Sequence, residues 1–485
     1  MIILPKGPLD SLEFQIKQDK TSNQLDQEIA FNVQESVISI SIEIKTEKRV
    51  WLTYMVYDEQ KVLRAQFMKI NAPQPLVIHT DKKKTSPYTI YGPIKPGKWT
   101  IEISILTAEE IGSSINWCTC AISFNKDLIE KKADSYLWQD SENPTFNLKE
   151  FDANKVYNAN NKWFKGDFHT HTIYSDGEMT REDNMISAAK QKLDFFVATE
   201  HNLVPTSWFS ETEILVIPGI EVTSPLGHFN ILSTSTSPFS NNRLKDMYTE
   251  EGMNKILTAD YGNAVISINH PFLTEWKWLL SETPLNKIDT MEIWNDPTYP
   301  YNVKATERAL LAWNYLLNDG YNITGIGGSD SHFKPTATYE GSKEPSLIGD
   351  PGTFVYCNKL TATNVVRGLK KGNVTVSRGE LIQFQIDDLI PGDHSNITKG
   401  TAKAFIETEK EIYFEWILDG QIVKKDTTNR SEYMFNFNEN DSYHWIRVDV
   451  RNVDGSLYGF SNPIYFGDKQ PTLIKWGQLL DLMND

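Results

Sequence analysis

The first quarter of the chain alternates hydrophobic and polar residues with the two-residue period of a β-strand. Such runs include SVISISIEI, VWLTYMVYD, PLVIHT and KWTIEISIL, which are rich in β-branched and aromatic residues. Clusters of proline and glycine, as in YGPIKPGKW, separate them. Short alternating strands between turn signals are typical of two packed antiparallel sheets. The pattern therefore predicts an N-terminal β-sandwich over residues 1–125.

The pattern changes after residue 125. Residues 126–161 are polar and have no sustained period, which predicts a linker. Over residues 162–379, strand-like runs alternate with the helical runs TREDNMISAAKQKL, TEEGMNKILTAD, VKATERALLAWNYLLNDG and TATNVVRGLKKG. Alternation of this kind predicts a parallel sheet with helical crossovers, most simply a βα-barrel.

Strands without helices return after residue 380, in AFIETEKEIYFEWILDG and YHWIRVDVRN. We expect a C-terminal Ig-like β-sandwich over residues 380–470 and a tail over residues 471–485. The length of 485 residues agrees with three domains, because one domain usually holds roughly 100 to 200 residues.

Composition and charge narrow the class of partner. Hydrophobic residues make up 40% of the chain, which is ample for buried cores, and the formal net charge of -16 opposes a nucleic-acid surface. The basic run Lys82–Lys84 lies among turn residues and is interpreted as a solvated loop. We expect neither a signal peptide nor a membrane span, and three cysteines make no disulfide framework. These features favour a cytoplasmic protein and make a polynucleotide a poor first guess for its substrate.

Metal-ligating residue types recur in the βα region, at predicted strand ends or in the loops just after them. Because the strand ends of a barrel share one rim, these side chains are expected to meet in space. In FHTHT the two histidines are two positions apart, so a strand would place both imidazoles on one face. Imidazole mixed with carboxylate predicts a centre for zinc, manganese or iron. The residues are His169, His171, His201, His228, His270 and His332, with Asp176, Glu221 and Asp330.

Each of these motifs has an ordinary explanation when it is taken singly. An HxH pair more often holds packing or capping histidines than a metal, and SDSH at residues 329–332 has the composition of a common turn. The recurrence of donors at successive strand ends is what favours a metal centre. The remaining histidines, His79, His394 and His444, are expected to be surface or packing residues.

Six motifs follow one another in the order found in the PHP (polymerase and histidinol phosphatase) superfamily. They are GDFHTHTIYSDGEMT, VATEHN, PGIEVTSPLGHFNIL, INHPF, EIWND and GGSDSH. The stretch from Trp163 to Arg378 most resembles the CehA/McbA-type metallohydrolases of that superfamily. The resemblance implies a distorted (β/α)7 barrel with two or three divalent ions at the C-terminal ends of its strands.

The resemblance also implies a set of ligands. These are His169, His171 and Asp330 for the first ion, Glu221 as the bridge to the second, His228 and His270 for the second, and Asp176, His201 and His332 for the third. Where the family has an Asp-His pair, this chain has Glu200 and His201. Neighbours in a strand face opposite ways, so Glu200 is expected to support the ligands from behind.

Two adjacent divalent ions would present hydroxide near neutral pH and clamp the oxygens of a phosphoryl transition state. We therefore expect hydrolysis of a small phosphomonoester or phosphodiester by a metal-bridging hydroxide. Glu221 and Asp330 are the expected catalytic residues, with Asp330 accepting a proton from the water. The alternative is a carboxyl or carbamate ester, since the same hydroxide attacks a carbonyl and the resemblance includes carbaryl-type hydrolysis. An inactive metal-binding scaffold, whose sandwiches recognise a glycan or protein, also stays open.

Five residues near the motifs are candidates for substrate contacts. An arginine there would pair with a phosphate, although each such arginine is more often a surface residue. Trp294 in EIWND is either a pocket wall or, more commonly, a core residue. The five candidates are Arg181, Asn202, Asn295, Arg308 and Arg378.

Overall fold

The computed structural model describes residues 3–4, 11–125, 135–140, 144–209, 212–438 and 442–484. Part of the stretch on which the signal-peptide expectation rests, and part of the predicted linker, fall outside these ranges. Within the described ranges, no helix is both long and apolar enough to cross a bilayer. Cys118, Cys120 and Cys357 are buried free thiols.

The N-terminal region consists of antiparallel strands in two sheets. The strands are β1 (Ile3–Leu4), β2 (Ser11–Lys17), β3 (Ser22–Val33), β4 (Ser39–Lys45), β5 (Trp51–Tyr57), β6 (Leu63–Lys69), β7 (Leu76–His79), β8 (Gly97–Ile111) and β9 (Asn116–Phe124). One sheet has the order β1-β2-β9-β4-β7 and the other β3-β8-β5-β6. Alternate residues such as Ile42, Ile101 and Ile122 close a shared core between them. The hydrophobic residues at every second position of these strands therefore form the inner face of a sandwich.

The central region contains the four helices that the sequence predicted, α1 (Arg181–Lys190), α2 (Glu250–Leu257), α3 (Asn302–Asn318) and α4 (Ala362–Lys371). The Thr180 hydroxyl caps α1 and Gly372 ends α4 in a left-handed conformation. The strands are β10 (Ser135–Leu137), β11 (Lys162–Asp167), β12 (Phe195–Ala198), β13 (Ser207–Phe209), β14 (Leu215–Ser224), β15 (Gly227–Leu232), β16 (Val265–Ile268), β17 (Thr290–Asn295), β18 (Thr324–Gly328), β19 (Gly352–Cys357) and β20 (Val374–Ser377).

The central sheet is mixed, which corrects the prediction of a parallel sheet with helical crossovers. Its order is β18-β17-β16-β15-β14-β12-β11-β19-β20, and the pairs β14–β15, β15–β16, β11–β19 and β19–β20 are antiparallel. Strands β14 and β15 form a tight hairpin, which is too short for the crossover that parallel strands need. Over the described strands the ladder does not close into a barrel, because no strand pairing joins β11 to β18; the loops after them are joined by an isolated bridge between Thr170 and Ser331.

The C-terminal strands build a second pair of sheets on the edge of the central one. They are β21 (Ile382–Ile386), β22 (His394–Ser395), β23 (Lys399–Ile406), β24 (Ile412–Leu418), β25 (Gln421–Asp426), β26 (Arg430–Asn436), β27 (Tyr443–Asn452), β28 (Leu457–Ser461) and β29 (Ile464–Gly467). Sheet β21-β23-β26 packs over a core with β24, β27 and β28. Since β28 also pairs with β20, one continuous sheet runs across residue 380.

Two segments expected to be peripheral are folded onto the central core. In the described part of 126–161, Trp138, Phe146 and Leu148 are buried in that core, and β10 pairs with β13. In the predicted tail, helix α5 (Trp476–Asn484) buries Trp476 and Leu479 there as well. Both segments are polar on average, so these few apolar side chains did not predict contact with the core.

Candidate metal centre

His169 and His171 lie in the loop after β11, which ends at Asp167. The two imidazoles therefore do not share a strand face, contrary to the prediction, although their rings do converge, with centroids 5.1 Å apart. Backbone hydrogen bonds to the loop after β18 hold them instead. The amide of Asp330 donates to the carbonyl of His169 at 2.9 Å, and the amide of His171 donates to that of Ser331 at 3.3 Å.

Glu221 and His228 come from the β14–β15 hairpin, not from loops after strands. His228 stands opposite Thr223 in the register, and Glu221 stands opposite Asn230. Both side chains are buried, and Nδ1 of His228 lies 3.2 Å from Oε1 of Glu221. A single antiparallel hairpin thus brings a carboxylate and an imidazole to the same place.

The predicted donors form three groups whose ligand atoms lie within 4.8 Å of one another. Two of them share His169 and are called the inner groups here: His169 with His171 and Asp330, and His169 with Glu221 and His270. The third, called the outer group, contains His171, Asp176, His201 and His332. The first inner group matches the implied first-ion ligands. In the second, His169 stands where His228 was expected, and the outer group gains His171.

Glu221 lies at the middle of the centre, with imidazoles on several sides. Its carboxylate oxygens lie 3.2 Å from Nε2 of His169 and 2.7 Å from Nδ1 of His201. Nε2 of His270 is 3.6 Å away. Burial alone would raise the pKa of Glu221, but the surrounding imidazoles hold that pKa well below its usual value. The carboxylate is therefore ionised and available as a bridging ligand.

Exposure increases from one side of the centre to the other. The side chains of His169, His171 and Glu221 are at most 1% exposed, whereas Asp330 and His332 are 17% and 21% exposed. Oδ1 of Asp330 lies 3.2 Å from Nε2 of His169 and 3.0 Å from Nε2 of His171. Solvent therefore reaches the centre on the side of Asp330, Asp176 and His332.

The imidazoles divide into two electrostatic classes. Burial, followed by the neighbouring His332 and His201, lowers the pKa of His171 to about 3. Burial also opposes the charged form of His332. The effect of the nearby Asp176 carboxylate is larger, however, and raises the pKa of His332 to about 9. A neutral imidazole is the form that binds a metal. His171 therefore has a free nitrogen lone pair, while cation binding at His332 would replace a proton.

Several buried polar atoms in the centre have no hydrogen-bond partner, which is unusual for a native interior. The residues present fit divalent cations, because these atoms converge and combine neutral nitrogen with anionic oxygen. Three ionised carboxylates gathered in a buried site also call for positive charge. The unpartnered atoms include Nε2 of His169, Nε2 of His171, Oδ1 of Asp176, Oε2 of Glu221 and Oδ1 of Asp330.

Three of the predicted residues have backbone conformations that L-amino acids rarely adopt. The φ angles are +27° at His270, +48° at Asp330 and +59° at Asn202. Strain of this kind costs about 1 to 3 kcal/mol per residue and clusters at functional sites, where the surrounding structure enforces it. His270 and Asp330 in this conformation place their side chains in the inner groups, whereas Asn202 bonds the backbone of Thr223.

Glu292 was missed in the sequence, although it lies in the motif EIWND. Its Oε1 lies 3.0 Å from Nδ1 of His169, and its Oε2 accepts hydrogen bonds from the His270 amide at 2.9 Å and from Asn295 at 3.1 Å. A carboxylate on the far nitrogen of a ligand histidine sets its tautomer and orientation. A charged residue inside the otherwise apolar run MEIW was the available signal.

Glu200 has the supporting position expected for it. Its carboxylate accepts hydrogen bonds from the amide and hydroxyl of Thr172 and from the hydroxyls of Ser175 and Tyr88. These contacts anchor the loop that carries Asp176. The longer Glu side chain is used to reach that loop.

The three arginines proposed for substrate are engaged elsewhere. Arg181 is buried, donates to the carbonyl of Ser207 at 2.9 Å and lies over aromatic rings. Arg378 pairs with Asp350 at 2.6 Å and with Glu344. The remaining one, Arg308, lies on the exposed face of α3, over the ring of Phe272.

The two asparagines lie nearer the centre. Asn202 donates from its amide to the Thr223 carbonyl at 3.2 Å, tying the end of β12 to the hairpin. Asn295 donates to Oδ2 of Asp330 at 3.2 Å. Trp294 is only 5% exposed and belongs to the central core, which agrees with the more common of its two interpretations.

No protein-family model matches this chain, and no curated protein matches it either. Among solved structures, it is similar to a two-domain protein from Bacteroides vulgatus that contains a predicted PHP-like metal-dependent phosphoesterase, with 16% identity and a TM-score of 0.36. That match covers 64% of this chain and 98% of the other. A β-glucuronidase from Bacteroides uniformis is similar at 9% identity and a TM-score of 0.15, over 94% of this chain and 60% of the other. Both TM-scores are too low to define the fold, so the chemistry of the site rests on its own residues.

Proposed function

We propose that the protein is a metal-dependent hydrolase of the PHP type, close to the CehA/McbA-type enzymes, with two or three zinc, manganese or iron ions. The observation that carries the proposal is the convergence of buried, unpartnered imidazole and carboxylate atoms in three adjoining groups. We relate the central region to a distorted (β/α)7 barrel, opened between β11 and β18. The motif order of the sequence supports the same assignment.

When bound, divalent ions supply an activated water and positive charge for the oxyanion of the transition state. Asp330 is proposed to accept the proton of the attacking water, because its Oδ1 faces the centre and its side chain is reached by solvent. Asn295 holds the other oxygen of that carboxylate at 3.2 Å and so fixes its direction. Glu221 is proposed to join the two inner groups, since its oxygens approach imidazoles of both.

The charge around the centre favours a phosphodiester over a phosphomonoester as the substrate. A phosphomonoester carries close to two negative charges at neutral pH and usually recruits arginine or lysine in addition to metal. The arginines predicted for that task lie in other contacts, with Arg378 held by Asp350 and Glu344. A phosphodiester carries a single negative charge and therefore needs fewer positively charged side chains in addition to the metal.

A carboxyl or carbamate ester is the second candidate, and the same engagement of the arginines favours it. An aromatic cluster on the loops after β16, β17 and β18 adds support, because it would accept an aryl leaving group. Ring centroids are 6.4 Å apart for Trp276 and Tyr299, 4.8 Å for Tyr299 and Tyr339, and 4.8 Å for Phe333 and Tyr339.

A hydrolysis panel tests the proposal and separates its two substrates. Aryl phosphodiesters, aryl phosphomonoesters, carboxyl esters and carbamates would be assayed with manganese, zinc and iron, alongside the double variant His169→Ala/His171→Ala. We expect metal-dependent diester hydrolysis that the double variant lacks. Activity confined to carboxyl esters or carbamates would replace the phosphodiester by the second candidate. Equal rates for the double variant and the unaltered chain would refute the metal-dependent function.

The scaffold interpretation makes a different prediction from the enzyme. Glycan or protein recognition by the sandwiches, without turnover of any ester in the panel, would favour it. Against it, every donor that the motifs supply lies at the centre or in contact with it. The cytoplasmic location and a small-molecule substrate stay predictions from the sequence.

A further inference from the structure

The N-terminal sandwich contacts the central region next to the outer group. The indole of Trp51, at the start of β5, meets the ring of His201 edge-on, with centroids 5.0 Å apart and planes at 65°. Trp51 is only partly buried, and it packs with Met68, Tyr88 and Leu203. A residue from another sheet system therefore touches a candidate metal ligand.

A second contact holds the loop that carries Asp176. Asn71, in the turn after β6, donates from its side-chain amide to the carbonyl of Asp176 at 3.0 Å and to that of Gly177 at 2.9 Å. Its own backbone amide points to the carbonyl of Ser175 at 3.5 Å. This loop belongs to no helix or strand, so these hydrogen bonds fix its backbone in place of the regular hydrogen bonds of a sheet.

The segment after His201 is held in the same way. Gln66 on β6 donates to the carbonyl of Val204 at 3.1 Å and accepts from the amide of Val204 at 3.4 Å. Tyr88 donates to Glu200 at 3.3 Å. Two of the three segments that supply the outer group, the loop of Asp176 and the segment around His201, are thus bound to one face of the N-terminal sandwich.

We propose that the N-terminal sandwich completes the outer cation site, with Asn71 and Trp51 as its positioning residues. Asn71 holds the backbone of Asp176, and Trp51 limits the rotation of the His201 imidazole. The inference rests on the proposed function, because it concerns a cation of the same centre. It assigns to the sandwich a task at the metal centre, beyond any recognition of a separate ligand.

Docking alone does not require these two contacts, because the interface has another anchor away from the centre. Tyr57 on β5 donates to the carbonyl of Phe239 at 3.0 Å in a buried position. Tyr57→Phe therefore removes the hydrogen bond to Phe239 across the interface without touching a ligand loop. Asn71 is exposed, so Asn71→Ala should fold. The two variants form a matched pair.

The test measures cation stoichiometry and affinity on the full-length chain, by manganese or zinc titration and elemental analysis after desalting. His332→Ala identifies the binding step that belongs to the outer group, since His332 is in neither inner group. We expect Asn71→Ala and Trp51→Ala to weaken that step about tenfold, as loss of a supporting contact commonly does, and to leave the inner steps unchanged. Trp51→Phe should restore part of the affinity, and Tyr57→Phe should bind like the unaltered chain.

Outer-step affinities for Asn71→Ala and Trp51→Ala equal to that of Tyr57→Phe would overturn the positioning role while leaving the hydrolase proposal intact. An equal loss in all three variants would also overturn it, because general loosening of the interface would then be the cause. An unaltered chain that binds no cation would overturn the proposed function itself, and the positioning role with it.

Discussion

Replacing Glu292 by glutamine probes the inner groups through a residue that is itself outside them. The carboxylate accepts a hydrogen bond from the His270 amide at 2.9 Å and from Asn295 at 3.1 Å, which fixes Oε2 as an acceptor. The other oxygen faces Nδ1 of His169 at 3.0 Å. A carboxylate there keeps the proton on Nδ1 and leaves Nε2 free to bind a cation.

Glutamine in the same place would turn its NH2 group toward His169, because its single oxygen is needed by the His270 amide and Asn295. Nδ1 of His169 would then have to accept, and the proton would move to Nε2, the nitrogen that faces Glu221 and Asp330 at 3.2 Å. Such supporting changes typically cost about 10- to 100-fold in metal affinity. That loss corresponds to about 1.4 to 2.7 kcal/mol of binding free energy.

The assay is cation titration of Glu292→Gln by competition with a chelator, together with turnover of the preferred ester. We expect weaker binding at the inner groups, which share His169, and unchanged binding at the outer group, which lacks it. Glu415→Gln is the matched control, since Glu415 is also a buried carboxylate but pairs with Arg451 at 2.7 Å in the C-terminal sheets. Inner-group affinities equal to those of the control would refute the tautomer argument.

Three further predictions concern stability. Saturating the centre with manganese or zinc should raise the melting temperature, because a ligand at a hundred times its Kd adds about 2.7 kcal/mol per site to the free energy of unfolding. Identical melting curves with and without a chelator would contradict a bound cation. Arg378→Ala should lower the free energy of unfolding by about 1.5 to 3 kcal/mol, because the guanidinium donates hydrogen bonds to Asp350 and Glu344. The variant should leave KM unchanged, and a raised KM would indicate that Arg378 contacts the substrate. Burial raises the pKa of Glu102 from 4.5 to about 7, although Arg243 opposes the rise. The contribution of Glu102 to stability is therefore full below pH 4.5 and is lost as the pH rises through 7. Glu102→Gln should remove this pH dependence, which amounts to about 1 to 2 kcal/mol of the free energy of unfolding after allowance for partial exposure. Chemical denaturation across this pH range measures it, and an unchanged pH profile in the variant would contradict the effect of burial.

The local pattern of the sequence was enough to predict most elements. The four helical runs of the central region are helices, and the alternating runs are strands, because period and capping residues act within a few positions of one another. The donors of the centre were also recognisable as residue types, although Glu221 and His228 lie in the β14–β15 hairpin and not in loops after strands. The β14–β15 hairpin escaped prediction, although Pro225 and Gly227 in its turn were the available signal.

By itself the chain determined which elements form and which nitrogen and oxygen donors are available, since both follow from composition and short-range periodicity. Only the tertiary structure decided which donors share a group, that Glu292 stands behind His169, that Arg378 is held by Asp350, and that Asn71 reaches the loop of Asp176. These contacts join residues from 28 to 123 positions apart in the chain. Their distances depend on how whole sheets pack, and no local pattern records that packing.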